Sequence, residues 1–161
     1  SAIKPFAKRL KELEDVKSNL YDDLVDFFCA FYEEWANHYP ELKPGALTKD
    51  RVKLREGSFA PQNITFFPFF RICFAFWEKY NLKSKDWRSQ KEWKSALATF
   101  GSATSSPGWK GNVMDRSNPE WEKRGILISQ IDPASGKKTG DTLSSTRATR
   151  DAAYTYLNSL I

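Results

Sequence analysis

The chain has 161 residues, 40% of them hydrophobic and 28% charged, the proportions of a folded domain large enough for a real core, which exclude wholesale disorder. One histidine and two separated cysteines cannot complete the usual zinc ligand sets. The formal charge of +5 is unevenly placed: residues 1–60 carry 10 Lys+Arg against 11 Asp+Glu, a net of −1, and residues 61–161 carry 15 against 9, a net of +6.

Pro5 stands where a first helix would open, with Phe6, Leu10, Leu13 and Val16 on one face. A second helix is predicted from Asn19 to Ala36. Leu20, Leu24, Phe27, Phe28, Phe31 and Trp35 would face inward, Asp22, Asp23, Asp26, Glu33 and Glu34 would face water, and Pro40 and Pro44-Gly45 end the run. Thr48 reads as the N-cap of a short helix stopped by Gly57. The segment Ile64 to Tyr80 is apolar around nearly its whole circumference, the pattern of a central helix. Arg71 within it requires a carboxylate, a carbonyl or an anionic ligand, and the run is too short to span a bilayer. Asp86 to Phe100 is amphipathic, with Trp93, Leu97 and Phe100 on one face and Gly101 as its stop.

Beyond Gly101 the character changes. Ser102 to Gly111 is small, polar and punctuated by Gly and Pro, yet carries Trp109, a candidate for base stacking or subunit contact. Asn118-Pro119-Glu120-Trp121 reads as cap, N1 proline and first turn of a short helix ended by Gly125. Ile126 to Ile131 reads as a strand or an apolar strap, Asp132 to Gly140 as a loop, and Asp141 or Thr142 as the start of a final helix through Leu160. The expected fold is mainly α: a single domain over residues 1–161, a helical bundle with long ordered loops and little or no sheet. Cys29 and Cys73, both in apolar runs, are expected to be buried reduced thiols, and the N-terminus lacks an apolar signal core, so the expectation is an intracellular, non-secreted protein.

Catalytic chemistry is hard to assemble. His38 sits at a predicted helix end, where a solvated or capping role is the default. Gly136-Lys137-Lys138-Thr139 resembles a phosphate loop but lacks its earlier glycine, and Lys138 replaces the hydroxyl residue. No enzyme activity and no cofactor are expected. The basic residues are more informative. Arg147, Arg150 and Tyr154 share one stripe of the predicted last helix, with Ser145 and Thr146 near its N-terminus, where free amides favour phosphate. The alternative is an ordinary amphipathic helix whose arginines pair with Asp151 or Asp141. Lys123-Arg124 and Lys137-Lys138 either extend the positive region around Ile126–Ile131 or are simply solvated. Cations interleaved with aromatic planes suit phosphates and bases, while Trp35, Trp77 and Trp93 read as core.

Two stretches carry a resemblance. Asp141 to Ala152 resembles the arginine-bearing helix with which coat proteins of rod-shaped plant RNA viruses hold genomic RNA, sharing Thr142, Leu143, Thr146, Arg147, Asp151 and Ala152. Phe69-Phe70-Arg71-Ile72-Cys73-Phe74-Ala75-Phe76-Trp77, followed by Asp86-Trp87 and preceded by Asp23-Leu24-Val25, is similar to a region in coats of flexuous filamentous viruses. The two patterns belong to different folds, so at most one applies. The chain departs from the flexuous pattern at Lys94 to Gly101, where no aspartate follows, and from the rod pattern in stopping at Ile161. The resemblance implies a helical subunit, in a virion or in the cytoplasm, that coats single-stranded RNA and polymerises, with Arg71, Arg147 and Arg150 as phosphate contacts. The functional expectation is thus a non-enzymatic protein that binds and packages single-stranded nucleic acid, RNA before DNA, with itself as a second partner and no membrane. The rival expectation is a helical protein-interaction adaptor whose interface is the acidic second helix or the aromatic Ile64–Tyr80 helix.

Overall fold

The computed structural model describes residue 8 and residues 18–80, 82, 86–100, 103–106 and 109–161, with the side chains of 18–20, 63, 103–106 and 109–110 outside the description. The helix expected from Pro5 and the stop at Gly101 lie outside the described residues.

Helix α1 spans Ser18–His38, a short 3-10 turn Pro40–Leu42, and helix α2 Thr48–Gly57. Helix α3 spans Asn63–Lys79 and α4 Glu92–Ala98. Strands β1 (Ala103–Ser106) and β2 (Trp109–Asn112) follow, then helix α5 (Pro119–Lys123), strands β3 (Leu127–Ile131) and β4 (Lys138–Leu143), and helix α6 (Arg147–Asn158).

The core is aromatic. Leu24, Phe27, Phe31 and Trp35 recur every three or four residues of α1 and are buried, while Asp22, Asp26 and Glu33 remain exposed. Phe27 meets Trp77, Trp87 and Trp93 within 5.5 Å between ring centroids, and Phe31 meets Phe69 and Phe76, so α1, α3 and α4 are joined ring to ring. Helix α3 is central in position, packed on α1 and α6, but it is not buried all round: Phe66 is half exposed. The second half of the chain closes the core through Val113, Met114, Trp121, Ile126, Ala153, Tyr156 and Leu157. Trp35, Trp77 and Trp93 are all core residues.

Several boundaries differ from expectation. Leu47, not Thr48, precedes α2, and no side chain caps it. The amphipathic run from Asp86 is helical only from Glu92, because Asp86 accepts the Arg88 amide in a turn that precedes the helix. Cys73 is buried as expected, whereas Cys29 is exposed, since it lies two residues from both Phe27 and Phe31 and so points away from their face. Both cysteines are free.

Sheet is sparse, as expected, and is confined among the described residues to two antiparallel hairpins, which stand where loop and helix start were expected. β1 pairs with β2, Ala103 opposite Asn112, within the stretch read as loop. β3 pairs with β4, so residues 138–143 form a strand, and the last helix starts at Arg147 rather than at Asp141 or Thr142. Asp132 organises the turn by accepting the Ala134 amide and the Ser135 hydroxyl, and Gly136 at φ 65° closes it in the left-handed region that favours glycine. The phosphate-loop-like Gly136–Thr139 is therefore part of a hairpin turn and strand. After the buried Leu127 the hairpin leaves the body, and every residue of β4 is exposed or half-buried.

Candidate nucleic-acid interface

Helices α3 and α6 pack together and bring three arginines, three aromatic or hydroxyl partners and one carboxylate into a cluster. Arg71 on α3 meets Asp151 on α6 at 2.5 Å, and its guanidinium lies 3.7 Å from the centre of the Tyr154 ring. The carboxylate that Arg71 required is thus supplied from 80 residues away. Asp151 also faces Arg147 at 3.9 Å, beyond hydrogen-bond length, and the Arg147 side chain is 94% exposed. Arg150 lies with its guanidinium 4.3 Å from the centre of the Phe67 ring and donates from Nε to the Thr146 carbonyl at 3.2 Å. Thr146 caps α6: its hydroxyl oxygen accepts the Thr149 amide at 3.2 Å. Arg71 and Arg147 share one carboxylate and Arg150 pairs with none among the described residues, so the cluster keeps an excess of positive charge. Such surface pairs each contribute about 0–1 kcal/mol, so a polyanion can displace them at small cost.

Lys123 and Arg124 belong to a different group. Both pair with Glu120, at 2.8 and 3.2 Å, as i,i+3 and i,i+4 neighbours at the end of α5. The Lys123 ammonium beside it, reinforced by Arg124, holds the Glu120 carboxyl below its ordinary range. The Arg124 guanidinium also stands 4.7 Å from the Tyr156 ring. Tyr154 and Tyr156 are two residues apart, about 200° around a helix, so Arg71 and Arg124 flank α6 on opposite sides.

The hairpin holds the third group. Lys138, on β4 rather than in a loop, pairs with Asp141 at 2.6 Å, and that pairing lowers the Asp141 carboxyl below its ordinary range. Lys137 at the turn is exposed and has no carboxylate partner among the described residues. Trp109 lies on β2, with its side chain outside the description.

Of the residues singled out in the sequence, the structure therefore assembles Arg71, Thr146, Arg147, Arg150 and Tyr154, and sets Lys123, Arg124, Lys137 and Lys138 apart from them. Phe67, which supports Arg150, was not anticipated. Its signal was available: it precedes Arg71 by four residues, one turn of the same helix. Comparison of this chain with protein-family models, with curated proteins and with solved structures gives no match.

Proposed function

We propose that residues 1–161 form one helical-bundle domain that binds and packages single-stranded nucleic acid, RNA in first place, without enzymatic activity, and that its contact surface is the α3–α6 cluster. One observation carries the reading: Arg71 and Arg147 share a single described carboxylate, Asp151, while Arg150 lies on the Phe67 ring with no carboxylate partner among the described ion pairs, and the Tyr154 ring stands beside Arg71. A phosphate approaching Arg147 meets a guanidinium that is almost wholly exposed and only loosely held by its acid. The rings offer flat apolar surface to bases, a sequence-tolerant mode of recognition. Lys123, Arg124 and Lys138 already have acids beside them and contribute less, and Lys137 is free to add a contact. The resemblance to plant RNA virus coats supports a subunit that polymerises along its RNA, with Arg147 and Asp151 on α6 among the residues shared with the rod-type pattern.

A fluorescent homopolymeric RNA titrated at several salt concentrations tests this. Three phosphate contacts give a slope of about −2 in log affinity against log salt, at ~0.7 per contact on a single strand. Replacing Arg147 and Arg150 by Ala, with circular dichroism unchanged, is expected to lower affinity about tenfold or more at low salt. Unchanged affinity would refute the assignment. The adaptor reading is favoured by the exposed Phe66 and Tyr32 beside an apolar cavity, and no RNA binding even at low salt would select it.

A further inference from the structure

A cavity of about 180 Å³ opens between α1 and α3, walled by Phe31, Trp35, Phe69, Leu97 and Phe100 and rimmed by Tyr32 and Phe66, which are 41% and 50% exposed. Next to it lies a groove of about 550 Å³ lined by the carboxylates of Glu41, Asp50 and Asp115 and one cation, Lys53. The 3-10 turn Pro40–Leu42, residues 57–61 and residues 114–115 each contribute to both hollows, so the apolar hole and the acidic groove are neighbours along three segments of the chain. Burial holds the Asp115 carboxyl above its ordinary range, so this acid gains from a cation brought alongside it.

The complementary shape is on the same chain. The β3–β4 hairpin carries Ile128 and Ile131, 51% and 59% exposed. Their odd spacing puts one on each face of the strand. Its turn presents Lys137, which has no carboxylate partner among the described ion pairs, while Lys138 is paired with Asp141. No residue of this hairpin is among those lining either hollow, so the chain's own hairpin does not occupy them. An apolar cavity of about 150 Å³ accepts a benzene ring, so this one has room for an isoleucine side chain.

We propose that a second copy of this chain inserts its β3–β4 hairpin into this face, an isoleucine entering the cavity and Lys137 meeting the acidic groove. Knob and hole are different surfaces, so the contact is head to tail, and repetition gives a ring or an open filament. The proposal does not depend on nucleic-acid binding.

Analytical ultracentrifugation of the whole chain, free of nucleic acid, tests it. Wild type is expected to associate with rising concentration. Ile128→Asp with Ile131→Asp, and separately Phe66→Asp, are each expected to weaken association at least tenfold. These side chains are exposed, and unchanged circular dichroism confirms the fold. Mixing the two variants is expected to give heterodimers and nothing larger, because only one intact hairpin then meets one intact face. Lys137→Glu is expected to weaken association, and pairing it with an Asp50→Lys chain to restore it. A wild type that stays monomeric overturns the proposal. So does a hairpin variant that associates like wild type, the result expected if the Phe66 faces of two copies paired with each other instead.

Discussion

Asp151 governs how available the arginines are. It is the acid shared by Arg71 and Arg147, and its side chain is 53% exposed. Asp151→Ala is therefore expected to change unfolding free energy by less than about 1 kcal/mol. The same substitution is expected to raise RNA affinity several-fold, because it removes the carboxylate that Arg71 and Arg147 share. A fall in affinity would show that Asp151 positions the guanidiniums rather than competing for them. Asn118 is a residue of the opposite kind, buried and fully used. Its side chain accepts the Glu120 amide and donates to the Val113 carbonyl and the Tyr156 hydroxyl, at 3.1, 2.9 and 2.9 Å. Asn118→Ala loses the α5 cap and the donor to the buried Tyr156 hydroxyl, while the Val113 carbonyl keeps the Trp121 indole N–H, and denaturant unfolding should show a loss of about 2–4 kcal/mol. Glu120 links the same region to pH. Its carboxyl is held below the ordinary 4.5 by Lys123 and Arg124. The folded value lies below the unfolded one, so this stabilisation is complete above about pH 4.5 and is lost as pH falls through the lowered value. Glu120→Gln is expected to flatten that part of a Tm-against-pH curve. An unchanged acid limb would show that the pairing contributes nothing to folding.

Among the elements, the helices with one apolar stripe were legible in the chain. The spacing of Leu24, Phe27, Phe31 and Trp35 locates α1, and Asn118-Pro119 marks the start of α5, because each of these signals acts over one helical turn. Strand β4 carried no such signal. Its sequence, Lys-Thr-Gly-Asp-Thr-Leu, has no apolar alternation because only its last residue, Leu143, packs against the core. What holds it is the backbone ladder to β3 and the turn at Asp132 and Gly136. A hairpin anchored only at its base opens more readily than a core helix. In dilute, monomeric protein, amide hydrogen exchange is expected to be faster at residues 130–140 than in α3, and protection of the hairpin is expected to rise with concentration as insertion into a second copy covers it.

For the whole molecule, a single hydrophobic cluster runs from Leu24 on α1 to Leu157 on α6 and includes residues of both hairpin-flanked halves. With no second core among the described residues, one cooperative unfolding transition is expected, with calorimetric and van't Hoff enthalpies in agreement. Two resolved transitions would instead separate the acidic-to-neutral residues 1–60 from the rest. The charge excess behaves differently from the core. Its net of +6 over residues 61–161 is a property of composition, yet its cations are spread: seven fall into three groups on α3–α6, α5 and the β3–β4 hairpin, and others stand elsewhere, such as Arg88 paired with Asp23 and Asp26 on α1.

Local chemistry accounts for what could be read along the chain: the mainly helical content, the aromatic core, the cap of α5 and the shared face of Arg147, Arg150 and Tyr154. These depend on neighbours within a few residues, so order along the chain is enough. The partner of Arg71, the ring beneath Arg150, the separation of Arg71 from Arg124 by the width of α6, and the apolar cavity beside an acidic groove all join positions tens of residues apart. Packing alone brings those positions together, and one-dimensional patterning carries no term for it.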